Sequence, residues 1–433
     1  MASSMSVPAD HSLRFELSNE VHARPPEELV APKKLTYLAC LSDQNNRQAE
    51  WQAVSALATQ FGAQPPASDA IHYSADLGPF RLKWERHAEF SRYNFITAED
   101  GDQPFENAAI NVVPDEWLAS LPGETIAAAH VTIRRGRDDG VVDHDALSAA
   151  YFQGNPMVGA YLSGGAAAGF TDFRIADDGF SRVLIEDRHT TPRQAGRLVQ
   201  RLLEIDTYRI MAMLTLPVAR TLTPALDDGE RELAAITHAL IGTDEQNEPE
   251  LLDRLTKLQA EIESNDAKTQ FRFSAAAAYY NLVHRRIADL REDRIEGLQT
   301  FEEFVERRLA PAMSTCAAVR SRHENLSQHL ARATQLLSTR VNIASERQNH
   351  GILESMNRRV ELQVRLQETV EGLSIAAITY YIVGLVSYLA KGLQASGISL
   401  NAPLVTALSV PVVVLTVALG LRKIREMITG PKG

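Results

Sequence analysis

The chain has 433 residues, a formal net charge of −11 and two cysteines, Cys40 and Cys316, too few for a disulfide framework or a thiolate metal cluster and in keeping with a reducing compartment. The charge is uneven: residues 1–270 carry −17, residues 271–371 carry +2 with fifteen Arg and no Lys, and residues 372–433 carry +4. An N-terminal region this acidic, without a basic patch along its sequence, argues against nucleic acid as a partner and suits a basic partner or a divalent cation.

Residues 1–33 form an N-terminal arm. His11, Arg14, Glu16, Glu20 and Arg24 interrupt it, so it lacks the apolar stretch of a secretory signal, and the bulk of the chain is expected to stay in the cytosol. His22 and Arg24 stand just before Pro25-Pro26, which predicts an extended, stiffened loop at both. A histidine and an arginine on such a loop would either bind an anion or carboxylate, or latch the loop to a sheet.

Residues 34–188 read as a cytosolic α/β domain. Leu35–Ser42 is strand-like, and Trp51, Val54, Leu57 and Phe61 give Arg47–Phe61 a helical spacing. Phe80–His87 and Glu89–Thr97 both alternate and are close enough to form an antiparallel hairpin. Further strands are expected in Thr125–Gly136 and across Phe170–Asp187, where Asp177-Asp178-Gly179 supplies a turn. Together these predict a sheet of five or more strands with helices packed on it. His87 and Glu89 lie two apart and share a face if the strand is continuous, an incomplete metal pair with no third ligand in sight. The glycine-rich Ala160–Phe170 lacks the P-loop ending and dinucleotide spacing, and reads as a flexible connection between sheet elements. With no Gly-x-Ser-x-Gly and no His-Glu-x-x-His, no catalytic residue and no cofactor are expected.

Residues 189–371 are predicted to be a helical region and stalk. Thr190, Thr191 and Pro192 supply a helix start, and the run reaches Thr215 before Pro217 is expected to stop it. Gly242–Glu250 is polar and reads as a linker. Leu326, Leu330, Leu337, Val341 and Ala344, then Ile352, Met356 and Val360, recur mostly at three, four and seven, as in a long packed helix or coiled-coil stalk that Gly351 and Gly372 would divide.

Residues 372–433 contain two runs, 373–390 and 402–421, without a single Asp, Glu, Lys or Arg. At about 1.5 Å of rise per residue, each is long enough to span roughly 30 Å of hydrocarbon, which predicts a two-helix transmembrane hairpin. Arg358, Arg359 and Arg365 precede it, Arg422, Lys423 and Arg425 follow it, and the connecting loop carries only Lys391. The positive-inside rule then puts both termini in the cytoplasm. Ser374, Ala377, Tyr381, Gly384 and Tyr388 fall near one helical face, suited to helix packing or to lining a path.

Asn19–Glu27 (NEVHARPPE), Arg86–Phe90 (RHAEF), Thr171–Arg182 (TDFRIADDGFSR), Gln194–Arg209 (QAGRLVQRLLEIDTYR) and Thr369–Gly392 together resemble the bacterial domain-of-unknown-function family numbered 3422. That resemblance covers nearly the whole chain and implies a membrane-anchored protein, without implying a chemistry. A looser one concerns layout: an acidic cytosolic domain, a stalk, a hairpin and a basic tail resemble CorA-type magnesium channels. The Gly-Met-Asn triplet of those channels is absent from the corresponding Tyr388–Gly397, YLAKGLQASG.

The sequence thus predicts an α+β membrane protein: an α/β sheet domain, a long helical stalk and a two-helix hairpin, assembled as a homo-oligomer in the lipid bilayer. Its expected role is structural, sensing or transport-linked. A divalent-cation channel and a membrane-tethered hydrolase or ligand-binding domain are the alternatives.

Overall fold

The computed structural model describes residues 8, 10–22, 25–98, 105, 107–136, 143–242, 247–397 and 399–429. It divides into two compact units, residues 1–242 with 253–334 and residues 243–252 with 335–433.

The first unit is built on a nine-stranded sheet: β1 (Lys33–Leu41), β2 (His72–Asp76), β3 (Arg81–Arg86), β4 (Phe90–Ala98), β5 (Glu124–Arg135), β6 (Val158–Leu162), β7 (Ala167–Thr171), β8 (Ser181–Asp187) and β9 (Asp293–Arg294). Their order is β2-β3-β4-β1-β5-β8-β7-β6-β9. Only β5 and β8 run parallel, and every other pairing is antiparallel. The last strand comes from far along the chain, between helices that the sequence assigns to the stalk region.

Strand alternation sorts the side chains onto two covered faces. Leu38, Cys40, Leu82, Trp84, Tyr93 and Phe95 point to one face and form a core with Val54 and Leu57 of α2 (Arg47–Gln60) and Trp117 of α3 (Asp115–Ala119). Trp117 Nε1 donates to the Ala53 carbonyl at 2.7 Å, so the indole fills the core and keeps its one donor satisfied. The other face carries Tyr37, Lys83, Glu85, Arg92 and Asn94, and α5 (Pro192–Met213) lies over it. Thr191 caps α5: its side chain accepts from the Gln194 N–H, and Gln194 Oε1 accepts from the Thr191 N–H at 2.9 Å.

Four sequence expectations change here. Pro217 does not stop a helix. Helix α5 ends at Met213, and α6 (Thr215–Gly242) begins with Pro217 in its first turn, where a missing N–H costs nothing. His22 is not on an extended loop: it closes α1 (Arg14–His22), because a proline restricts only the residue directly before it. Arg24 lies outside the described residues. The Ala160–Phe170 stretch is not a flexible connection but the tight β6–β7 hairpin, with φ of +54°, +69° and +83° at Ser163, Gly164 and Gly165. A run of left-handed residues is what glycine supplies at no steric cost. Finally, Gly351 and Gly372 do not divide the long helix: α9 runs unbroken from Ala310 to Ala395. A glycine inside a helix costs only about 1 kcal/mol, and the flanking Leu, Glu, Gln and Arg are good helix formers.

The rest of the first unit is a helical bundle. Gly229 of α6 sits where Leu258 and Ile262 of α7 (Glu248–Leu290) and Leu326 of α9 converge, and a Cβ there would press against the tip of Leu326 at 3.0 Å. His323 Nε2 lies 3.1 Å from the Ile262 carbonyl, and Arg322 bridges Asp227 and Glu230 at 2.6 and 2.8 Å. Helix α8 (Phe301–Arg308) joins β9 to α9.

The second unit contains the remainder of α9 and α10 (Ala402–Thr429), with Arg340 paired to Glu248 at the start of α7. Helix α10 continues through Pro411. Two helices here are long and apolar enough to cross a membrane.

Candidate functional site

The sheet face under α5 is unusual in what it buries. Glu85 on β3 and Arg92 on β4 are direct cross-strand partners, and both are buried. The Arg92 guanidinium donates from Nε to Glu85 and from Nη1 to Glu204 of α5, the latter at 3.1 Å. Glu204 accepts in turn from Arg286 of α7 and from Gln200 Nε2 at 2.8 Å. Arg286 reaches Asp289 at 3.3 Å, and Asp289 faces Arg201 at 3.9 Å. At the other end, Lys83 Nζ stands 3.2 Å from Glu85. Charges of alternating sign therefore run from β3 through α5 to the C-terminal end of α7.

Burial alone would raise both carboxyls, but Arg92, joined by Lys83 at Glu85 and by Arg286 at Glu204, outweighs it and holds them below the ordinary carboxylate range. Burial likewise works against the Arg92 charge, and Glu85 and Glu204 overcome it. Tyr37 is pushed up by burial while its hydroxyl lies 2.7 Å from that of Thr207, and Tyr208 is pushed up to about 12 by burial and by Glu204. The face is ionised at neutral pH and ion-paired in its middle, which suits holding a shape more than exchanging protons.

The segment after the arm is strapped across one end of this network. Lys83 donates to the Pro25 carbonyl at 2.6 Å, Arg81 Nε to Glu27 at 2.7 Å, and Arg193 Nε to Glu28 at 2.8 Å. The Leu29 N–H reaches the Pro192 carbonyl at 3.0 Å. Gly196 makes this possible, since a Cβ there would overlap the Glu27 carbonyl oxygen. Residues 25–29 are thus latched to the sheet and to α5, whereas the side chains of His22 and Arg24 lie outside what the structure describes.

His87 and Glu89 are not on one continuous strand, because residues 87–89 form the turn between β3 and β4. His87 stacks on Phe90 with centroids 4.6 Å apart, while Glu89 takes Arg272 of α7 at 2.7 Å. Among the described residues no group of three or more His, Cys, Asp or Glu could hold a metal ion. Of the apolar-run residues, Ser374 and Gly384 are half-buried, whereas Ala377, Tyr381 and Tyr388 are exposed on α9. The same stretch of α9 buries a different face, at Thr379 and Ala390.

A basic site that no single stretch of sequence displays forms at the end of the charge network. Arg197 and Arg201 of α5, Asp289 and Arg291 at the end of α7, and Ser163 of the β6–β7 turn line a cavity of about 360 Å³. The Ser163 N–H donates to the Leu290 carbonyl at 2.8 Å and stitches that turn to the helix end. The sequence hints at it only through the four-residue spacing of Arg193, Arg197 and Arg201, which puts three cations along one side of a helix.

The family model described as "Protein of unknown function (DUF3422)" matches residues 9–428. The chain belongs to this family. Among curated proteins and solved structures nothing matches it, and a resemblance to CorA-type channels is not shown.

Proposed function

We propose that this DUF3422 protein is a bilayer-anchored protein with a structural, sensing or transport-linked role, whose first unit binds a ligand and does not catalyse a reaction. One observation supports the anchor above all. The apolar windows in Ala310–Ala395 and Ala402–Ile424 are only 11% and 0% buried within the chain, whereas a soluble core helix of that composition would be mostly buried. Each large aliphatic side chain left in water forgoes about 1.5–3 kcal/mol, so runs of this length need another apolar phase. The flanking arginines and lysines favour a hairpin with both ends on the cytoplasmic side.

Binding is preferred to catalysis because the buried carboxylates are already neutralised: Glu50 by Arg86 at 3.0 Å, Glu85 by Arg92, and Glu204 by Arg92 and Arg286. Conduction has no comparable support, since residues 373–390 and 402–421 hold no acidic or basic side chain to select an ion. The test is alkaline carbonate extraction of membranes from cells expressing the full chain, together with a reporter fused after Gly433. Retention in the pellet until detergent is added, with reporter signal on the cytoplasmic side only, is the expected result. Release by carbonate would remove the anchor, and a signal outside the cell would reverse the orientation.

A further inference from the structure

We propose that the cavity lined by Arg197, Arg201, Arg291 and Ser163 is a binding site for a phosphate group. The argument begins with charge balance. Along the network, Lys83, Arg92, Arg286, Arg201, Arg197 and Arg291 supply six cations, against the three carboxylates of Glu85, Glu204 and Asp289. The pairing is complete at the β3 end and runs out at the cavity. Asp289 is shared between Arg286 and Arg201, and among the described residues neither Arg197 nor Arg291 has a side-chain ion pair or hydrogen bond. In a chain of net charge −11, three guanidinium groups have been gathered where one carboxylate faces them.

This arrangement carries a cost in the empty protein. Like charges four residues apart on a helix destabilise it, and Arg197 and Arg201 are such a pair. Arg201, with its Nη1 donating to the Asp289 carbonyl at 3.0 Å, has its pKa pulled down first by burial, and Arg197 and Arg286 add to that. Arg291 is held in the left-handed region at φ +49°, a conformation that non-glycine residues seldom adopt. An anion carrying about two charges would relieve the two electrostatic stresses, and guanidinium forks match phosphate oxygens in geometry as well as charge. Ser163 adds a hydroxyl donor, and the volume of about 360 Å³ admits a phosphomonoester as well as inorganic phosphate.

The proposal does not depend on the membrane anchor, and its test separates the two. Inorganic phosphate is titrated by calorimetry into the detergent-purified full chain, alongside dihexanoyl phosphatidic acid, whose headgroup is a phosphomonoester. Saturable binding of phosphate is expected, with Arg197→Ala and Arg291→Ala each weakening it about tenfold or more. Arg197→Lys, which keeps the charge and loses the fork, should fall between, and Arg254→Ala, remote and paired to Glu232, should bind as the parent does. Tighter binding of the short-chain lipid than of phosphate would identify a headgroup as the source, and equal affinity a free phosphate. Without ligand, Arg197→Ala should melt at or above the temperature of the parent, because a repulsion has been removed. Absence of phosphate binding by the folded parent, or unchanged affinity in both alanine variants, would overturn the assignment.

Discussion

The two units of this chain break opposite rules of partition between core and surface. The first buries charge: Lys83, Glu85, Arg92 and Glu204 are all less than 10% exposed. The second exposes apolar side chains: Ile352, Met356 and Val360 of α9 are 51%, 58% and 56% exposed, and the apolar windows of α9 and α10 are almost bare. Buried charge is tolerated when every partner is supplied from within, and exposed grease when something outside the chain covers it. The contrast therefore sets a unit that pairs its buried charge from within beside one that leaves its apolar side chains exposed, and each prediction below presses on one side of it.

The largest effect belongs to Glu204, a buried carboxylate that serves two arginines. Glu204→Ala leaves Arg92 buried with Glu85 alone and Arg286 with only Asp289, and should destabilise the first unit by about 3–5 kcal/mol in urea unfolding. The pH dependence follows the same logic. Glu85 and Glu204 are held below the ordinary carboxylate value of 4.5, so their contribution is present above that pH and is lost as the pH falls through their folded values. A parent and a Glu204→Ala variant with the same stability and the same acid profile would show that the ladder of charges holds nothing together.

His130 gives a smaller effect in a higher pH window. Thr36 Oγ1 lies 3.0 Å from His130 Nδ1 and accepts from the Ile110 N–H at 3.2 Å, and the ring stacks on Phe180. Burial lowers its pKa to about 4, with Arg182 acting in the same direction and Asp178, 3.9 Å away, opposing. The unfolded chain takes up this proton near 6.5 and the folded chain only near 4, so stability falls as the pH drops across that interval, by on the order of 2–3 kcal/mol. His130→Leu should flatten the profile there and leave the region below 4.5 to the carboxylates. An unchanged slope between pH 6.5 and 4 would mean that the ring already titrates freely.

The same contrast explains what was legible in the sequence. The strand that became β1 and the pair that became β3 and β4 are visible because apolar residues alternate, and the two bare helices because 373–390 and 402–421 lack charge altogether. Alternation does not say what covers the second face. In FRLKWERH the lysine and glutamate are buried because Arg92 on the next strand meets Glu85 and is itself met by Glu204, over a hundred residues away. The strand β6 hides in a glycine-rich stretch because its turn needs left-handed residues, and β9 is only two residues long. The arginine cavity joins side chains of α5 to residues some ninety positions later, a proximity that no local pattern encodes.

The smallest expected effect is the one that tests the second half of the comparison. The stripe of the long helix changes character along its length: Leu326, Leu330 and Leu337 are buried within the chain, while Ile352, Met356 and Val360 are not. If nothing covers the latter stretch, Met356→Ser removes an exposed side chain from a helix and should alter thermal stability by no more than about 0.5 kcal/mol. A homo-oligomer, the assembly expected from the seven-residue recurrences, would bury that face against a second copy and make the same substitution cost about 2 kcal/mol or more, with a dependence on protein concentration. Melting the parent and Met356→Ser at several concentrations in one detergent separates the outcomes. A small, concentration-independent shift leaves the stripe uncovered, and a large one that grows on dilution assigns it to an interface between copies.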